Sequence, residues 1–100
     1  MTDNFKTIQE MKNGNKEIIV DSIVSSSPIL VMNAILFGTR DRITDSRFVK
    51  GLTRAEDSID VLFGVPVSSV ATASLHLLGQ KNYNGEDKQI QAFINSRLGF

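Results

Sequence analysis

Ser27 to Gly38 reads SPILVMNAILFG, and Ser68 to Gly79 reads SSVATASLHLLG. The two stretches lie in register at an offset of 41 residues, so that Ser27, Leu36 and Gly38 recur as Ser68, Leu77 and Gly79. The register runs on without a gap. Val49 and Leu52 fall on Ile90 and Phe93, while Ile8, Met11, Ile18 and Val20 fall on Val49, Leu52, Ile59 and Val61. Within the first stretch Ser25-Ser26-Ser27 offers caps, and Pro28 sits in a first turn, where its missing N–H costs nothing. Pro28 to Phe37 is apolar almost all round, which marks a helix buried on most sides. Gly38 is expected to end it.

Helix signals recur outward from there. Thr2-Asp3-Asn4 caps a first helix carrying Phe5, Ile8 and Met11, and Asn13-Gly14-Asn15 stops it. A second helix spans Lys16 to Val24 with Ile18, Ile19 and Ile23 inward. Thr44 or Asp45 caps a stripe of Phe48, Val49, Leu52, Ala55, Ile59, Leu62 and Phe63, spaced by threes and fours. That spacing leaves open whether 45–63 is one helix or two with a bend near Arg54. Gly64-Val65-Pro66 reads as a corner, and Ser68 or Ser69 opens a helix bearing Val70, Ala71, Ser74, Leu77 and Leu78, closed by Gly79. Glu86 to Arg97 forms the last, with Ile90, Phe93 and Ile94 inward. No strand pattern competes, because Ile18-Ile19-Val20 is short and lacks alternation. The expectation is an all-α fold of about six helices in a single domain, 1–100.

Composition narrows the function. The 100 residues carry eleven basic and eleven acidic side chains, a formal charge of zero. A dedicated nucleic-acid binder needs a positive excess to displace counterions, and so does electrostatic attachment to a membrane. With no cysteine there is neither a disulfide framework nor a thiolate metal site. The N-terminal stretch lacks the apolar core of a signal peptide, and the longest apolar run is too short to span a bilayer, so a soluble cytoplasmic protein is expected.

An offset of 41 with this punctuation resembles the period of the armadillo/HEAT class of helical repeats. The resemblance covers about Asp3 to Phe93 and implies a right-handed stack of roughly two repeats whose last helix lines a concave face. In armadillo proteins an Asn on that helix hydrogen-bonds the backbone of an extended peptide. Asn33 holds a similar place, while the second copy has Ser74 there, so the ladder is not continued. Small stand-alone helical proteins of this sort occur in bacteria as immunity proteins that bind and block a toxin.

Chemistry for turnover is sparse. His76 is the only histidine, no G-x-S-x-G elbow accompanies the serines, and Glu56, Asp57 and Asp60 lack a calcium-loop pattern. No catalytic residue, metal, cofactor or small-molecule substrate is expected. The loops after Gly38 and Gly79 are richer in contact chemistry, with Arg40 and Arg42 in one, Lys81 and Tyr83 in the other. Arg and Tyr bring large contact area plus directed hydrogen bonds. The expected partner-binding set is therefore Arg40, Arg42, Lys81, Tyr83, Asn33 and His76, with the charged face of Arg47, Lys50, Arg54 and Asp57 as a second candidate. These point to a module that binds another protein, in its concrete form an inhibitor that occludes a toxin without turnover. A neutral chain does not suit a nuclease toxin. The alternative is a helical adaptor that self-associates through Phe5 and Phe100.

Overall fold

The computed structural model describes residues 4–96, and the helical signals become six helices and one two-stranded ribbon within them. In chain order they are α1 (Asn4–Lys12), α2 (Lys16–Ser22), α3 (Pro28–Arg40), α4 (Ser46–Ala55), β1 (Val61–Leu62), β2 (Val65–Pro66), α5 (Val67–Leu77) and α6 (Lys88–Ser96). Caps expected at Thr2 and Asp3, and contacts expected of Phe100, lie outside the described residues. Short polar side chains start α2, α4 and α6 by accepting their free N–H groups, whereas Ser27, expected to cap α3, makes no side-chain cap bond and Ser25 Oγ accepts from the Ser27 N–H instead. Asn15 Oδ1 accepts from the Ile18 N–H at 3.3 Å, Asp45 Oδ1 from Arg47 at 2.9 Å, and Asp87 Oδ1 from Gln89 and Ile90 at 2.9 and 3.2 Å. The Asp87 cap is why α6 begins at Lys88 and not at Glu86.

Gly38 does not end α3. The helix runs on to Arg40 and closes through Arg42, whose φ is +54°. The Ile43 N–H bonds the Gly38 carbonyl and the Arg42 N–H bonds that of Thr39, the paired bonds of a Schellman stop. Gly79 makes the same stop after α5, with φ +75° and matching bonds from Gln80 to Leu75 and from Gly79 to His76. The two glycines that match in sequence therefore hold different places. Gly38 serves close approach instead: a Cβ there would lie 2.2 Å from Cζ of Phe48. Gly51 plays the same part towards Ile23, whose Cγ2 would be 2.4 Å from an added Cβ.

The stripe beyond α4 is the second departure. The helix stops at Ala55, and Ile59 and Phe63, expected inward, are exposed. Residues 61–66 form an antiparallel ribbon in which Val61 faces Pro66 and Leu62 faces Val65. Phe63 and Gly64 make its two-residue turn with φ of +53° and +77°, the doubly left-handed geometry that matches strand twist. Pro66 ends the ribbon in an extended conformation at the head of α5, which starts at Val67 and not at Ser68 or Ser69.

Helix α3 lies at the centre, packed by α1, α2, α4, α5 and β1, and α5 joins it to α4, α6 and β2. Phe48, Met11, Ile19, Ile35, Leu52, Val67 and Val70 are fully buried in one continuous core. Ser74 is buried too. Its hydroxyl bonds that of Thr39, which itself donates to the Ile35 carbonyl at 2.6 Å, so the polar pair joining α3 and α5 is satisfied. The starts of α4 and α6 are 42 residues apart, and those of α3 and α5 are 39 apart.

The Gly38 contact makes a test. Helix propensity alone would favour Ala by about 1 kcal/mol. The Phe48 ring is enclosed and cannot swing aside, so overpacking wins. Gly38→Ala is expected to destabilise the chain by about 1–3 kcal/mol in urea unfolding. A stabilised variant would show that the ring has room to move.

Candidate functional site

Several side chains with the richest contact chemistry are engaged inside the molecule. Arg40, the last residue of α3, places Nη2 3.1 Å from the Lys12 carbonyl at the end of α1, pairs with Asp41 at 2.8 Å and lies over the Phe37 ring at 4.9 Å. Lys81, 41 residues later, stands at the end of α4 but meets a side chain there: its Nζ lies 2.6 Å from Oε2 of Glu56, which also accepts from the Thr72 hydroxyl at 2.6 Å. Cations at helix C-termini offset the partial negative charge of the unsatisfied carbonyls. Tyr83 donates its hydroxyl to the Asp87 carbonyl and meets His76 edge-on, ring centroids 6.3 Å apart. The His76 Nδ1 is enclosed with no hydrogen-bond partner among the described residues. Asn33 donates to the Ile29 carbonyl of its own helix at 2.8 Å. Arg42 is exposed at the left-handed position that closes α3. The six residues do not form one patch: Tyr83 and His76 come together, whereas Arg40 and Lys81 clamp separate helix ends.

The second candidate face divides. Arg47 is held between Glu17, at 3.1 Å, and Asp45, at 3.2 Å, with Lys16 3.3 Å from Asp45. Hydrogen bonds from Arg47 hold the Asp45 carboxyl well below its ordinary range and lower Glu17 as well. Arg54 and Asp57, by contrast, line a cleft of about 320 Å³ between the α2–α3 corner, the end of α4 and the approach to the ribbon. Ile23, Val24, Pro28 and Val31 form its apolar wall, with Ser58 and Asp60 on the ribbon side.

The segment that carries the cleft's Ser58 and Asp60 also carries exposed apolar side chains, and Val24 is exposed on the opposite wall. Ile59 is 95% exposed, Phe63 92%, Val61 58% and Val24 53%. Phe63 is the least expected of these. It adopts φ +53°, which costs a bulky residue on the order of 1–3 kcal/mol, and its ring recovers almost nothing by burial. Neither backbone nor core asks for Phe here. The signal was available in sequence, since two apolar pairs separated by X-Gly spell a hairpin, yet the helical spacing of 55, 59, 62 and 63 overlies it.

Among the described residues no three His, Asp or Glu side chains converge as metal ligands, and no helix is long and apolar enough to cross a membrane. Comparison with protein-family models, curated proteins and solved structures finds no match to this chain.

Two outcomes are expected. Phe63→Asn, which suits the left-handed turn, should raise stability by about 1 kcal/mol in urea unfolding. A loss would mean that the ring supports the fold. Asp45→Ala should lower Tm at neutral pH. Because the folded carboxyl titrates below its ordinary 3.8, its contribution is complete above that value and fades as pH falls through the depressed one. The Tm gap between variant and parent should therefore narrow in acid, and a gap that stays constant would contradict this.

Proposed function

We propose that this chain is a protein-binding module that receives its partner on the ribbon and the adjoining cleft. One observation carries the reading. Phe63 is strained, exposed and unhelpful to the fold, and it lies on one segment with exposed Ile59 and Val61, next in the chain to Ser58 and Asp60, which line the cleft. Exposed apolar clusters with a polar rim are the usual mark of a docking surface. Action is by occlusion, without turnover. Its concrete form is a bacterial cytoplasmic inhibitor of the immunity kind, which covers a toxin's working surface.

We also read the helices as two related units of armadillo/HEAT-like stacking. The 42-residue spacing of α4 and α6 supports this, as does the position of Arg40 at the end of α1 and of Lys81, 41 residues later, at the end of α4. In the second unit the ribbon stands where the first has α2.

Purification of the tagged chain from the cells that make it tests the binding reading. The parent should bring down one polypeptide in near-equal amount. Ile59→Asp with Phe63→Asp should lose it while keeping the circular dichroism of the parent, and Arg40→Ala should retain it. A partner that survives the double Asp variant places the contact elsewhere and overturns the reading. A chain that purifies alone and dimerises with concentration points instead to the self-associating adaptor, for which Phe5, 79% exposed on α1, is the supporting observation.

A further inference from the structure

The ribbon register says more about how a partner sits. With Leu62 opposite Val65 next to a two-residue turn, residues 62 and 65 exchange the inner hydrogen bonds, and the next inward bond runs from the Val67 N–H to the Asp60 carbonyl at 3.0 Å. Val61 and Pro66 therefore turn their backbone groups outward. Pro66 has no N–H, so the β2 edge is blocked as a template. Val61 keeps both groups, and neither has a hydrogen-bond partner among the described residues. Its edge is also apolar at alternate positions, with Ile59, Val61 and Phe63 exposed and Leu62 turned to the core. Natural edges of this kind are usually blunted by charge, proline or cover. Here one edge is blunted and the other is not.

We infer that β1 is a strand-addition site, occupied by an extended segment of another protein that is apolar at alternate residues and carries a cation. This rests on the protein-binding reading and names its mode. The charge of the cleft selects the cation. Asp57 has no side-chain bond or ion pair among the described residues, and Asp60 accepts only from Ser58, at 3.3 Å. Against these two carboxylates the cleft holds one cation, Arg54. A second copy of the chain would bring the same carboxylates against each other. A bilayer would leave the Val61 N–H and C=O unsatisfied in hydrocarbon. An extended basic segment satisfies the backbone groups, the apolar side chains and the charge together.

The probe is the capped peptide Lys-Val-Thr-Val-Thr-Val-Lys, whose two lysines make it indifferent to strand direction. Its acidic counterpart, with Glu for Lys, and a copy N-methylated throughout are the controls. Nuclear magnetic resonance of the full chain should show the basic peptide slowing exchange of the Val61 amide and binding about tenfold more tightly than the acidic one. The N-methylated copy should fail. Val61→Pro, which removes the outward N–H, should weaken binding about tenfold, and Val61→Thr should not. If the Pro variant does not fold, the N-methylated peptide on the parent chain decides the same point. Shifts at Ile59 and Phe63 without protection of the Val61 amide overturn strand addition and leave the protein-binding reading standing. The latter falls if the double Asp variant keeps its partner or if the chain purifies alone and dimerises. Equal binding of the acidic and basic peptides overturns the choice of cation, and a ribbon that answers no peptide at millimolar concentration overturns the mode. Co-sedimentation with phosphatidylcholine vesicles that Phe63→Asp abolishes would assign the edge to a bilayer, and a dimer that Val61→Pro dissolves would assign it to a second copy. Either result overturns the proposal.

Discussion

The ring of Phe48 fills the space that Gly38 leaves on the central helix. Burying such a ring contributes about 1.5–3 kcal/mol, against about 1 kcal/mol for a glycine inside a helix. The exchange favours contact, and it fixes where α4 crosses α3. On its other side α4 meets α2 in the same way, through Gly51 and Ile23. With both approaches set, the end of α4 at Ala55 has one place to be, and the ribbon starts from there. The position of the candidate site thus descends from two missing side chains in the core.

Electrostatics then decides which polar groups remain for a partner. Arg40 and Lys81 each close a helix end, and Arg47 is shared by two carboxylates. Such exposed pairs add little stability singly. They do hold their side chains in defined geometry, so a partner competing for them must displace an internal acceptor. Among the described residues Arg54, Asp57 and Asp60 carry no such engagement beyond the Ser58 hydroxyl. Uncommitted charge and uncommitted apolar surface therefore coincide at one corner.

Helices were legible wherever period and punctuation agreed. Ile8 and Met11 of α1, the burial of α3, the Ile90, Phe93 and Ile94 face of α6, the Asn13–Asn15 break and the Gly79 stop follow from side-chain type, while Phe5 on the same α1 spacing is exposed. Gly38 shows the limit. A glycine that ends a helix and one that admits a neighbour look alike in sequence, and only the ring of Phe48, across the following loop, separates them. The ribbon shows another limit. Val61 to Pro66 satisfies a helical stripe and a hairpin signature at once, and Pro66 settles the conflict because it cannot continue a helix through its own N–H position. Chemical type says what a side chain can bond but not whether a neighbour has already bonded it. For Arg40 and Lys81 one has.

The two halves of the chain differ most where the site lies. Moving α2 by the sequence offset of 41 places it over 57–63, where α4 has ended and the ribbon is forming. In the first half this segment buries Ile19 and Val20 and adds to the core. In the second it exposes Ile59, Val61 and Phe63, bends its backbone into a left-handed turn and gives the core only part of Leu62. Selection for stability alone would favour the first arrangement. On the proposed binding reading, a partner accounts for a segment that gives up burial, holds a strained aromatic and leaves a strand edge open. That is the physical ground for placing function on the ribbon, and it holds whether or not the two halves share an origin.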